Sequence, residues 1–412
     1  MLTRIATHDV EPTDLDVALA PRLNLLVGDN GLGKTYLLDL AWWALTGTWA
    51  RRAPMPVYRP GSTPKIDFNS DPLGEATITG SFNFREQTWA RETGRDLWAP
   101  KLVIAAGPDG GFDIWDAYRS WGTARPGLGQ TCRFSLDSRA VWDGLVTEDS
   151  SALSNGLVRD WVTWQFQKPA VFDLLVRVLA RLSPPGEVIK PGAPRRVSIE
   201  DARDIPTITL PYGTVPVTHA SAGVRRVLAL AYVLVWTWYE HTEAANLMNL
   251  PPIERLTLLV DEVDVHLHPT WQRAILPALL EVLSEIGRTL EVQVVASTHA
   301  PLVLASVETI FDQERDKLIH FALRDGKITV EDLPWAKQGD AENWLVSEVF
   351  GLTQARSLEA ERAIEVAEAF MRGEPTPAEL DTREKIQIEL ERVLGGQDKF
   401  WPRWLVKTGL VT

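Results

Sequence analysis

Eight residues near the N-terminus limit the possible folds more than any other stretch. Gly28-Asp29-Asn30-Gly31-Leu32-Gly33-Lys34-Thr35 fits G-x-x-x-x-G-K-[ST] without substitution. The apolar run Leu23–Val27 before it predicts a short buried strand. After it, Leu37, Leu38, Leu40, Ala41 and Ala44 fall at helical spacing. Strand, glycine loop and helix in that order form the context in which this pattern cradles phosphate. Glycines let successive backbone N–H groups curl round phosphate oxygens, and the helix N-terminus adds a favourable dipole. Lys34 offers a point charge to β- and γ-phosphates, and Thr35 a hydroxyl to Mg²⁺. Gly28, Asn30, Gly31, Gly33, Lys34 and Thr35 are therefore the first candidate binding residues, for a nucleoside triphosphate.

A phosphate loop is half a catalytic site, so a metal-binding carboxylate must be found elsewhere. Leu256–Val260 is a second buried apolar run, ending in Asp261-Glu262. In a P-loop protein that position suits Asp261 to Mg²⁺ and leaves Glu262 to polarise an attacking water. A third run, Glu291–Ala296, ends in Ser297-Thr298-His299. His299 could hydrogen-bond a γ-phosphate or the water. Ser221-Ala222-Gly223-Val224-Arg225-Arg226 opens a long helical pattern. Ser221 suits an N-cap, and the N–H of Gly223 would suit a second phosphate-facing helix start.

Between these motifs, residues 1–27 predict three short strands, and residues 50–73 a Pro/Gly/Ser-rich loop. Residues 75–116 alternate in strand fashion with turns at Glu92–Asp96 and Pro108–Gly111, which predicts an antiparallel meander. Two helices are expected at Asn155–Phe166 and Ala170–Leu182, and a hairpin around Asp325-Gly326. Beyond residue 340 the pattern is helical and charged. Four segments follow: 1–116 with the P-loop and an antiparallel subdomain, 117–217 as a helical and irregular insertion, 218–335 with the remaining nucleotide motifs, and 336–412 as a helical C-terminal region.

The chain of 412 residues carries a net charge of −13. That balance argues against a broad basic surface for nucleic acid. A single cysteine, Cys132, permits no intrachain disulfide and suits a reducing cytoplasm. The longest apolar stretch, Val227–Trp238, is too short to span a bilayer, so no membrane partner is expected.

The order of P-loop, antiparallel subdomain, S-x-G-x-R-R helix, Asp-Glu strand and Ser-Thr-His strand resembles ABC-type ATPase heads. It looks most like the SMC, RecF and OLD branch. Asp261-Glu262-Val263-Asp264-Val265-His266-Leu267-His268-Pro269 resembles the D-E-x-x-x-H-L-H-P segment of OLD-like and PtuA-like (Septu-type) defence ATPases, and Ser297–Pro301 resembles their S-T-H-[SA]-P. The resemblance covers roughly residues 1–330. It implies an α/β P-loop NTPase with ATP and Mg²⁺ as ligands, Thr35 and Asp261 on the metal, Glu262 as general base and His299 as a switch histidine. Ser221 and Gly223 would be the signature that caps the γ-phosphate held by another copy. The signature departs from the family pattern at Ala220 and Val224. A Q-loop glutamine is unassigned, with Gln87 the candidate by order and Gln130 and Gln165 as rivals.

One P-loop and one signature per chain imply a homodimer or higher homo-oligomer, with ATP sandwiched between heads. No nuclease constellation follows the ATPase motifs in residues 331–412. The resemblance therefore implies an ATPase whose ATP-dependent pairing regulates a separate nuclease-type effector in anti-phage defence. The alternatives are a RecF-like repair ATPase that binds DNA, or an ATP-gated scaffold with little turnover.

Overall fold

The computed structural model describes every residue except 12, 72–75, 92–100, 122–133, 147–149, 288 and 410–412. The expected turn at Glu92–Asp96, Cys132 and the rival glutamine Gln130 lie outside the described residues. Two compact units divide the chain, Met1–Gly339 and Asp340–Thr412.

The first unit opens with strands β1 (Leu2–His8), β2 (Asp16–Ala18) and β3 (Leu23–Gly28), then helix α1 (Lys34–Thr46). Strands β4 (Lys65–Ser70), β5 (Ile78–Asn83), β6 (Thr88–Arg91), β7 (Leu102–Ala106) and β8 (Phe112–Asp116) follow. Next come α2 (Ala117–Trp121), β9 (Phe134–Leu136), α3 (Ser138–Asp143), β10 (Leu145–Val146) and β11 (Ala152–Ser154). Helices α4 (Gly156–Gln167) and α5 (Pro169–Leu182) precede β12 (Lys190–Arg195), β13 (Ile205–Leu210) and β14 (Gly213–Pro216). The unit closes with α6 (Ala222–Met248), β15 (Arg255–Val260), α7 (Pro269–Ile286), β16 (Glu291–Ser297), α8 (Pro301–Val307), β17 (Asp316–Arg324) and β18 (Lys327–Leu333).

An eight-stranded sheet runs β18-β17-β3-β16-β15-β7-β8-β9. Its middle five strands are parallel, from β17 to β7, and antiparallel strands complete both edges. The parallel strands β3, β15 and β7 read as largely apolar runs, broken by Asn24 in β3 and Thr257 in β15, because strands covered on both faces need mostly apolar residues. A second, five-stranded antiparallel sheet runs β2-β1-β4-β5-β6. One core cluster joins the two sheets through α1. Leu37, Leu38, Leu40, Ala41, Trp42, Trp43, Ala44 and Leu45 are all buried, so α1 is apolar around most of its circumference, as a helix enclosed on several sides requires.

Two expectations change here. The meander of residues 75–116 is split: β5 and β6 pair in the five-stranded sheet, whereas β7 lies parallel to β15, with Leu258 opposite Ile104. The run Leu102-Val103-Ile104 is fully buried, and a central parallel position is where such a run is covered on both faces. The loop expected over 50–73 contains β4, in which Ile66, Phe68 and Ser70 are buried in alternation. The strand β9, within the expected insertion, extends the eight-stranded sheet by pairing with β8.

The second unit contains α9 (Ala341–Leu345), α10 (Leu358–Arg372), α11 (Arg383–Val393) and α12 (Trp401–Lys407). Ala363, Ala367, Ile386, Leu390, Phe400 and Trp404 form its core. The rings of the Phe400–Trp404 segment thus serve their own unit: Trp404 is fully buried, and the Nε1 of Trp401 donates to the carbonyl of Gly395. Among the described residues, no helix is long and apolar enough to cross a membrane.

Candidate active site

Parallel strands deliver whatever follows them to one edge of a sheet, and ligands bind in open α/β sheets at that carboxyl edge. Here β3, β16 and β15 are neighbours, and they end in the P-loop, Ser297-Thr298-His299 and Asp261-Glu262 respectively. Register brings the ends level, with Ser297 opposite Leu26 and Val260 opposite Ala296.

The loop's shape depends on its glycines. Gly28, Gly31 and Gly33 have φ of 127°, 78° and 101°. A Cβ on Gly28 would collide with the carbonyl oxygen of Phe321 on β17, so both space and backbone demand glycine there. Gly33 is the left-handed residue from which α1 starts, with no side-chain cap. The first-turn N–H groups of α1 therefore have no side-chain acceptor from that residue, which leaves them available to an anion.

Lys34 is buried, and its Nζ donates to the carbonyls of Gly28 and Asp29 at 2.8 and 2.7 Å. The ammonium is thereby folded back along the loop. Burial pulls it below its ordinary value, opposed by Asp261, Asp29 and Glu262. The Thr35 hydroxyl donates to Asp261 Oδ2 at 2.9 Å, across 226 residues of sequence. Ser297 Oγ donates to Asp261 Oδ1 at 2.8 Å and accepts the backbone N–H of Glu262 at 2.7 Å. Glu262 has φ of 51°, a left-handed conformation that costs a non-glycine residue about 1–3 kcal/mol. Its half-buried side chain joins Asp261 and Lys34 in the field that His299 feels. Burial first, and then the Lys34 cation, hold the His299 imidazole below its ordinary value, so it is neutral at pH 7.

Lys34, Thr35, Asp261, Glu262 and His299 therefore converge from three strand ends. Ser221 and Gly223 lie on another element, at the start of α6. Ser221 caps α6 by accepting the N–H of Val224 at 3.4 Å and is exposed. A Cβ on Gly223 would lie 2.7 Å from the carbonyl of His266, so this glycine lets the start of α6 close against the turn after Glu262. Gln87 does not join the P-loop cluster. It is exposed, with φ of 51°, in the β5–β6 turn of the other sheet. Its rival Gln165 lies on α4 and donates to the carbonyl of Gly192.

Four further residues belong to the cluster, and none of them is assigned a role by the sequence alone. Ser297 bridges the two acidic positions, as above. Asp264 Oδ1 accepts the Thr298 hydroxyl at 2.5 Å and the His299 N–H at 3.3 Å, tying the segment after β16 to the turn after Glu262. Arg51 donates from Nε to Asp39 and from Nη1 to Asp261 Oδ2, both at 2.9 Å. Ser297 and Asp264 lay within the strand-end motifs and Asp39 stands one turn after Thr35, whereas Arg51 sits in a Pro-rich stretch that carries no signal.

Together the sheet order, the glycine loop and the three strand ends define an α/β P-loop NTPase fold, with a second, antiparallel sheet and a helical C-terminal unit. Residues 153–305 match the family described as "AAA domain, putative AbiEii toxin, Type IV TA system". Within that class the chain is similar to the Septu protein PtuA of Bacillus mycoides, with 34% identity over 96 residues, 23% of this chain and 12% of that protein. It is also similar to the Retron Vc95 probable ATPase of Vibrio cholerae, with 44% identity over 50 residues, 12% of this chain and 9% of that one. The matches thus span a small part of either relative. Among solved structures, an SMC head bound to the C-winged helix domain of ScpA aligns over 81% of this chain and 97% of its own. Its TM-score is 0.44 at 15% identity, which adds nothing to the topology above.

Proposed function

We propose that this chain binds and hydrolyses ATP, and that ATP-dependent pairing of two copies regulates a partner effector, a nuclease acting in anti-phage defence. The observation that carries the ATPase reading is the 2.9 Å meeting of Thr35 with Asp261, with Glu262 and His299 at the same sheet edge. Two hard oxygen donors converging at the P-loop are the donor set that magnesium prefers. Thr35 and Asp261 would hold the ion, which would supply positive charge against that of the phosphates.

The chain's own groups then have distinct tasks. The N–H groups of the loop and of α1 take the phosphates, and Lys34 leaves its carbonyl partners for the γ-phosphate. Glu262 accepts a proton from the attacking water. Neutral His299 hydrogen-bonds without adding charge. Asp264 holds His299 and Thr298 in place. Ser221 and the Gly223 N–H reach the nucleotide of another copy, which fits the exposed position of Ser221 at the start of α6.

Similarity to Septu and retron proteins motivates the defence reading. Lys34→Ala should abolish ATP binding. Glu262→Gln should retain binding and stop phosphate release. Normal turnover by Glu262→Gln would remove the base assignment and, with it, this mechanism.

A further inference from the structure

Arg51 raises a problem of occupancy at Asp261. The inner oxygen, Oδ1, is taken by Ser297. The outer oxygen, Oδ2, accepts both Thr35 and Arg51 at 2.9 Å. The side chain of Asp261 is 3% exposed, so its charge is withdrawn from water and needs a partner. The guanidinium supplies one. It stands on the oxygen that a metal shared with Thr35 would claim.

The same guanidinium has a second anchor. Nε reaches Asp39, whose side chain is 15% exposed. Burial pushes the Asp39 carboxyl up to about 6, with Arg51 opposing that rise. The planar fork of arginine spans both carboxylates at once, a geometry that a lysine ammonium cannot copy. Arg51 therefore has a place to stay, on Asp39, when its other contact is given up. Its side chain is 36% exposed and belongs to a loop, so release of one end needs no movement of the core.

We propose that Arg51 is a built-in counter-ion that occupies the metal side of Asp261 in the nucleotide-free chain and is exchanged for the divalent cation when nucleotide loads. This rests on the reading of Thr35 and Asp261 as the metal pair. The exchange keeps the buried carboxylate neutralised in both states. It also opposes metal binding by the strength of the contact displaced, and a released Nη1 marks the loaded state on the surface.

The test is a titration of the full chain with Mn²⁺, read as free Mn²⁺ by electron paramagnetic resonance, with a non-hydrolysable ATP analogue at saturation. Arg51→Lys keeps the charge and loses the fork; Arg51→Met loses both. Both should bind Mn²⁺ about tenfold more tightly than the parent, the size of one charge-assisted hydrogen bond removed from the competing state. Tightening in Arg51→Met alone would mean that only the local field matters, and would overturn the exchange. Weaker binding in both would mean that Arg51 helps to hold the loaded site, and would overturn it too. Failure of the parent to bind Mn²⁺ in a manner abolished by Thr35→Ala would instead remove the underlying metal assignment.

Discussion

The P-loop edge and the start of α6 carry the two motifs proposed to meet phosphate, and they are built in different ways. At the P-loop edge side chains are tied across elements: Thr35 to Asp261, Ser297 to Asp261 and the backbone of Glu262, Arg51 to Asp39 and Asp261. At the start of α6, Ser221 is exposed, and its oxygen accepts one long local hydrogen bond. The first region is finished inside one chain. The second is a surface held by the packing of Gly223 against His266 and by Arg226 on the carbonyl of Gly107. Pre-formed networks of this kind do chemistry with little reorganisation, whereas an exposed cap is suited to meeting a ligand that arrives from outside. The contrast is what a site shared between two copies would require.

The contrast can be broken from either side. The largest effect is expected from Lys34→Ala, which should weaken ATP binding by more than about a hundredfold, since a buried charged contact is lost; a fluorescent ATP analogue reads this directly. Glu262→Gln should cut turnover by about 10²–10⁴, the usual range for a general base, at unchanged nucleotide affinity. Gly28→Ala should cost about 3 kcal/mol or more of stability through overpacking and backbone strain, seen as a lower Tm without nucleotide. Ser221→Arg should leave ATP binding intact and remove the rise of specific activity with protein concentration; retained concentration dependence would disconnect α6 from any pairing.

The smallest effect concerns pH. The His299 value lies below the ordinary one, so the folded chain favours the neutral ring. Its stabilisation is complete above the ordinary histidine value near 6.5 and is lost as pH falls through the lowered one. Imidazole resonances followed by NMR should place the His299 midpoint below 6.5, and turnover should be flat from pH 7 to 8 as far as this residue is concerned. A midpoint above 6.5 would replace the neutral switch with a charged one.

Local pattern carried a good part of the architecture. Leu23–Val27, Leu256–Val260 and Glu291–Ala296 were legible as buried strands because a central parallel strand needs apolar side chains on both faces. The structure extends each by one residue, to Leu23–Gly28, Arg255–Val260 and Glu291–Ser297. The helix after the loop was legible from spacing, but not its enclosure between two sheets. Likewise the partner of β7 could not be read, since Leu102-Val103-Ile104 looks the same beside β6 as beside β15. Pairing over such distances leaves no mark on a run that is apolar in either case.

The candidate site divides along the same line. Gly28–Thr35, Asp261, Glu262 and His299 stood out because phosphate and metal chemistry restrict residue type at fixed spacing. The sequence by itself determined that these pieces exist and that each ends a strand or begins a helix. Only the tertiary structure decided that β3, β16 and β15 lie side by side, so that three distant segments meet within hydrogen-bond reach. It alone brought Arg51 across 210 residues to Asp261, and it alone set Gln87 on an exposed turn of the other sheet. The physical reason is the range of the interactions. Spacing rules record what neighbours along the chain must do, whereas an ion pair between a loop arginine and a buried carboxylate is fixed by sheet order.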